Sequence, residues 1–230
     1  MKITWLGHSG FRIELGDQVL LVDPWLAGNP AFPEERRAEA IAGATHVLVS
    51  HGHFDHASNA VEISKETGAP LVGIFDLMGH LEASEGASVV GFNKGGTVHL
   101  GDVAVTMVNA VHSSSVGTDH GPMYAGAEAG FMIAHGGRTI YFSGDTDVTA
   151  DMQIMQDLHA PEIGILCCGG HFTMDMARAA YAAKTFFRFR TVIPCHYRTF
   201  PLLAQSAQPL ADELPGVDVK MPEVMETLAL

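Results

Sequence analysis

The sequence predicts an α/β fold, and three observations carry that prediction. Short apolar segments alternate with helical stretches along the chain. Several apolar segments end by presenting a His or Asp, as strands that share one rim would. No Pro- or Ser-rich linker divides the 230 residues, so one domain over 1–230 is expected.

The elements follow in order. Ile3 to Leu6 and Phe11 to Leu15 read as strands, and Gly16-Asp17 as a turn. Gln18 to Val22 is the next strand, closed by Asp23-Pro24. Pro30 to Ala42 reads as a loop running into a helix. His46 to Ser50 is a short buried strand. Asn59 to Thr67 is helical and stops at Gly68; Val72 to Phe75 is a strand, and Leu77 to Ala83 a helix. Val89-Val90, Thr97 to Leu100, Val103 to Val111, Ala127 to Ala134 and Thr139 to Ser143 read as strands. Ser113 to Met123 is Gly-, Ser- and Asp-rich and reads as a loop over a site. Asp151 to Asp157 and Met174 to Phe187 are helical, and Ile163 to Cys168 and Thr191 to Cys195 are buried strands. An internal echo runs through this order. Phe11-x-Ile13-x-x-Gly16 is matched by Phe131-x-Ile133-x-x-Gly136, and the strand ending at His51 by the strand ending at His196. Two similar βα halves facing each other are expected.

Composition narrows the class. Apolar residues make up 47% and charged residues 17%, enough apolar surface to offset the ordering entropy of a globular chain. The net charge of -13 disfavours a nucleic-acid partner. Three cysteines, Cys167, Cys168 and Cys195, form no CxxC pair, which suits a reducing cytoplasm. No signal core and no run of about 18 apolar residues is present, so a cytoplasmic protein without a membrane partner is expected. Homo-oligomerisation is left open.

Thirteen histidines are present, and their clustering carries the chemistry. His51-x-His53-x-Asp55-His56 places four metal-competent side chains within six residues, directly after a buried strand. A tight loop there lets His51 and His53 serve one ion while Asp55 and His56 serve a neighbour. His112, Asp145 and His196 each follow a further strand. A lone His at a strand end is ordinarily a hydrogen-bonding residue. Seven such residues together suit two divalent ions with open positions for water and substrate. Imidazole and carboxylate donors suit Zn2+ first, with Mn2+, Fe2+ or Ni2+ also compatible.

With these motifs in place the chain resembles the metallo-β-lactamase superfamily. Within it, the sequence is similar to bacterial metal-dependent hydrolases related to the ascorbate-6-phosphate lactonase-like branch. The resemblance rests on W-L-G-H-S-G-F (5–11), H-G-H-F-D-H (51–56), S-G-D-T (143–146), G-G-H-F-T-M (169–174) and C-H-Y-R-T-F-P (195–201). It implies a four-layered αββα sandwich with the metals at one edge. It implies that His51, His53 and His112 bind the first ion, that Asp55, His56 and His196 bind the second, and that Asp145 bridges them. Arg198 and Asp175 stand where such relatives tend to have Gly, and both are expected to reshape the pocket.

The expected activity is hydrolysis of a small ester, lactone or phosphodiester by a water activated between two metals. Asp55 would also orient that water. His171, in a glycine-flanked loop, is a candidate proton donor or oxyanion ligand for substrate. His8 and Tyr197 are candidates to reach the substrate, and Asp23 to orient a ligand histidine. His120 is expected in a solvent-facing loop. A phosphodiesterase or nuclease acting on nucleic acid is disfavoured by the acidic balance, and a di-iron redox protein on the same fold lacks room here for a flavin module.

Overall fold

The computed structural model describes residues 1–230. Period-two hydropathy sets the first sheet. Strands β1 (Lys2–Trp5), β2 (Phe11–Leu15) and β3 (Gln18–Val22) form an antiparallel meander, in which Phe11, Ile13 and Leu15 point inward and Arg12 and Glu14 outward. Strands β4 (His46–Val49), β5 (Leu71–Ile74) and β6 (Val89–Phe92) continue the sheet parallel to β3. Helices α1 (Arg37–Ile41), α2 (Phe54–Ala57), α3 (Ala60–Thr67) and α4 (Phe75–Glu85) lie in the connections. α3 and α4 each stop at a left-handed glycine, Gly68 and Gly86, whose N–H groups close the last turn.

The second half repeats the plan. β7 (Thr97–Leu100) and β8 (Val103–Asn109) form a hairpin, β9 (Ser115–Thr118) and β10 (Gly121–Tyr124) a separate two-stranded one. β11 (Ala129–His135) pairs antiparallel with both β8 and β12 (Arg138–Phe142). β13 (Ile163–Cys167), β14 (Thr191–Cys195) and β15 (Asp218–Val219) follow parallel to β12, with α5 (Asp151–His159), α6 (Met176–Phe186) and α7 (Gln208–Glu213) between them. Strand β16 (Thr227–Ala229) returns to pair with β1. The sheet orders are β16-β1-β2-β3-β4-β5-β6 and β15-β14-β13-β12-β11-β8-β7, the paired sheets of an αββα sandwich. One core of 62 buried residues runs through them, and Phe11 of one sheet meets Phe142 of the other. No helix is long and apolar enough to cross a membrane.

Strand direction places the site. β1, β3 and β4 run the same way in the first sheet, and β8, β12 and β14 the same way in the second. Two hydrogen bonds join the sheets at the ends of these strands. Ala129 N–H donates to the Ser50 carbonyl and His196 N–H to the His8 carbonyl, both at 3.0 Å. Six strands therefore empty onto one rim.

The predicted elements stand within a few residues of the observed ones, with two differences. The segment 113–123, expected as a loop, contains most of the β9–β10 hairpin. Val116 pairs with Met123, and Gly121, at φ +102°, completes the turn around Asp119-His120. The echo of the hairpins holds, since β2–β3 and β11–β12 occupy matching places. The echo of the histidine strands does not. β4 lies beside its hairpin, as β13 does, whereas β14, which delivers His196, lies one strand further out.

Cys167, Cys168 and Cys195 are buried free thiols at the ends of β13 and β14. Burial pushes the Cys167 thiol up to about 12 and the other two well above the usual range. Titration of the native protein with a disulfide reagent at pH 8 is therefore expected to detect none of the three. All three should appear together with the unfolding transition.

Candidate metal centre

Each donor owes its place to a strand end. Asp23 directly follows β3, His196 directly follows β14, and His51 comes two residues after β4. Asp55 and His56 lie on the single turn of α2, which points both into the rim. His112 and Asp145 come three residues after β8 and β12. Turning the chain so sharply is costly. His8, Asp23 and His196 hold φ values of +52°, +46° and +58°, a region that non-glycine residues occupy at about 1–3 kcal/mol each. Gly169 admits the turn at His196, because a Cβ there would collide with the His196 carbonyl oxygen.

The donors form two groups. Ring nitrogens of His51, His53 and His112 lie within 4.8 Å of one another, as do single donor atoms of His8, Asp55, His56 and His196. Asp145 sits between the groups. Its Oδ2 is 3.6 Å from His112 Nε2, 3.3 Å from His56 Nε2 and 2.9 Å from His196 Nε2. The structure thus brings the seven expected ligands together on one rim, with His8 beside Asp55, His56 and His196, and Asp23 beside His51 and His56.

A further layer fixes the donors. Asp23, fully buried, accepts from Ser50 N–H at 2.7 Å, Ser50 Oγ–H at 2.5 Å and His56 Nδ1–H at 2.7 Å. That commits Nδ1 of His56 and turns Nε2 inward. Ser50 Oγ also contacts His51 Nδ1 at 3.0 Å. His8 bridges Asp55 Oδ2 at 3.0 Å and Thr199 Oγ1 at 2.9 Å.

Such a cluster calls for positive charge. Burial works against an ionised Asp145 and Asp55, yet the surrounding imidazoles outweigh it and hold both carboxyls below the usual range. Burial likewise opposes charging of His56, but Asp145 and Asp23 on either side raise its pKa well above the ordinary value. Burial holds His51 well below that value and brings His8 down to about 4. Three buried atoms, His56 Nε2, Asp145 Oδ1 and His196 Nδ1, have no hydrogen-bond partner. Lone pairs left bare in a dry site are costly unless a cation takes them. The donor set therefore fits divalent metal.

The three expected substrate residues, His171, Tyr197 and His8, lie outside the cleft lining. His171 is exposed and borders a neighbouring groove with Asp147, Thr173 and Arg178, outside the metal-lined cleft. Gly170 and His171 both take positive φ, and the reversal sends Phe172 into the cleft instead. Tyr197 is a core residue, stacked on Trp5 at 5.3 Å, because the left-handed turn at His196 directs the next side chain inward. His8 does not line the cleft either and acts behind Asp55. Arg198 and Asp175, expected to reshape the pocket, also lie outside the cleft lining. Arg198 adopts φ +69°, the conformation a glycine would supply, and pairs with Glu223 at 3.0 Å. Asp175 caps α6 by accepting from Arg178 N–H.

The sequence reading missed the apolar wall. Phe54, Phe172, Phe200, Pro201 and Leu202 line the cleft above the donors. A signal was present, since a Phe sits inside or beside each of the motifs H-G-H-F-D-H, G-G-H-F-T-M and C-H-Y-R-T-F-P.

Paired sheets with a His/Asp cluster on their shared rim define a metallo-hydrolase of the metallo-β-lactamase type. A model of the beta-lactamase superfamily domain matches residues 2–196, and the chain belongs to that superfamily. A UPF0173 metal-dependent hydrolase of Dinoroseobacter shibae is 73% identical over 230 residues, covering 100% of both chains. Igni18, a metallo hydrolase of the archaeon Ignicoccus hospitalis, superposes with a TM-score of 0.85 at 30% identity, over 99% of this chain and 97% of that one. The metallo-beta-lactamase fold protein YhfI of Bacillus subtilis shares the fold at a TM-score of 0.76 and 15% identity, over 99% of each chain. The chain is a metal-dependent hydrolase of this superfamily.

Asp23→Asn keeps shape but removes the charge that holds His56. It is expected to weaken metal binding about 10–100-fold, read by competition with a chromogenic chelator. Gly169→Ala is expected to cost about 1–3 kcal/mol in denaturant unfolding and to lower bound metal, because the His196 turn must shift.

Proposed function

We propose that the protein hydrolyses a small ester, lactone or phosphodiester with two divalent ions, Zn2+ foremost, held by His51, His53, His112, Asp55, His56, His196 and Asp145. One observation carries the reading. Donors from both sheets converge on one rim, His51, His53 and His112 in one group and Asp55, His56 and His196 in another, with Asp145 Oδ2 3.6, 3.3 and 2.9 Å from Nε2 of His112, His56 and His196. When bound, the ions lower the pKa of a water and polarise the substrate oxygen.

The chain's own residues do the rest. Asp23 and Ser50 keep His56 and His51 oriented with their donor nitrogens inward. His8 holds Asp55 through Oδ2, which leaves Oδ1 to align the attacking water. Asp145 spans the two groups. The water oxygen bonds to the electrophilic centre, the bond to the leaving oxygen breaks, and the water proton passes to that oxygen. No electron is transferred. The acidic chain and its free thiols support a small-molecule substrate in a reducing cytoplasm.

Metal analysis of protein purified from its native host, followed by a panel of chromogenic esters, lactones and phosphodiesters, tests this reading. Asp55→Ala and Asp145→Ala are each expected to reduce bound metal and to lower kcat/KM at least a thousandfold. Full turnover in both variants would remove them from the centre.

A further inference from the structure

The cleft over the centre has a volume of about 640 Å³, within the range of small-molecule sites. Its floor and its wall differ sharply. The floor is made of donors of the centre, with Ser113 the one further polar residue in the lining. The wall is Phe54, Phe172, Phe200, Pro201 and Leu202. Phe54 and Leu202 are each 63% exposed and Phe172 49%, so these side chains present open apolar surface at the mouth of a polar pit. Trp25 backs the wall, its ring 5.7 Å from Phe200 and 5.5 Å from Phe54.

No lysine or arginine lines this cleft. The cations closest in sequence to its lining are committed elsewhere. Arg198 pairs with Glu223 at 3.0 Å, and Arg178 holds both oxygens of Asp147, at 2.7 and 2.9 Å, in the groove on the far side of Phe172. An anionic tail in the cleft would thus lose part of its hydration against Phe and Leu with no guanidinium or ammonium in return. An alkyl or aryl tail there gains about fourfold in binding for each methylene it buries.

From this we infer that the preferred substrate is an uncharged carboxylic ester or lactone, with its carbonyl over the donors and an alkyl or aryl tail against Phe54, Phe172, Phe200 and Leu202. The inference rests on the hydrolytic reading above and selects within it. A lactone that carries a phosphate on its tail is disfavoured by the same wall. The reaction consumes one water per ester and releases one carboxylic acid and one alcohol.

The test uses the metal-loaded full chain. For 4-nitrophenyl esters from acetate to hexanoate, kcat/KM is expected to rise about threefold per added methylene. The mono-4-nitrophenyl ester of adipate, of matching length but with an anionic end, is expected at least tenfold below the hexanoate. Phe172→Ala and Leu202→Ala should each flatten the chain-length slope. In parallel, 2-octanone is titrated against tryptophan emission, with a saturable change expected from Trp25 and a weaker one in both variants.

A flat slope, or a preference for the adipate ester, in protein that hydrolyses them metal-dependently overturns the inference and leaves the hydrolytic reading standing. Saturable 2-octanone binding without any metal-dependent turnover supports the apolar pocket and turns the failure onto the hydrolytic reading. Absence of both overturns both.

Discussion

Charge balance on a dry rim governs this structure. Asp23, Asp145 and the imidazoles around them bring polar and charged groups into a largely buried rim, and those imidazoles hold Asp55 and Asp145 below the usual carboxylate range. Within the protein the rim is tied by hydrogen bonds of Asp23 to Ser50 and His56 and of His8 to Asp55, together with the 3.0 Å approach of His51 Nε2 to His53 Nδ1. The strained turns at His8, Asp23 and His196 make sense in that light. Backbone strain of this kind persists where surrounding contacts over-determine it, and here the sheet-to-sheet hydrogen bonds at Ser50 and His8 provide that restraint.

Two layers share the work of shaping the rim. Strand ends set where each donor starts, and the hydrogen bonds behind them set which nitrogen faces inward. Asp23 shows how tight the coupling is. One carboxylate accepts from both the backbone and side chain of Ser50 and from His56, so β3, β4 and α2 are tied at a single point. A shift of any of these elements would be felt at the others.

Much of this was legible in the chain itself. The strands that carry His51, Asp145 and His196 are short apolar runs bounded by clear turn residues, and their ligand types are distinctive. The 113–123 hairpin escaped because Asp119-His120 is a weak turn signal and the strands carry little apolar pattern. His171 and Tyr197 were misplaced because left-handed residues beside them reverse the alternation that side-chain direction is read from. Positive φ at a histidine has no marker in sequence. The apolar wall escaped for a different reason: its members come from the start of α2 and from two separate loops, and only packing brings them together.

The thiols beneath the rim bear on which ions the site can hold. Cys195 immediately precedes His196, and Cys167 Sγ reaches the Thr146 carbonyl beside Asp145 at 3.5 Å. A thiolate so placed would draw soft, sulfur-seeking cations such as Cu(I) or Cd(II) away from the imidazoles. The sulfurs turn to backbone carbonyls instead, Cys167 Sγ to Thr146 and Cys168 Sγ to Cys195, and the donor groups of the rim are made of nitrogen and oxygen.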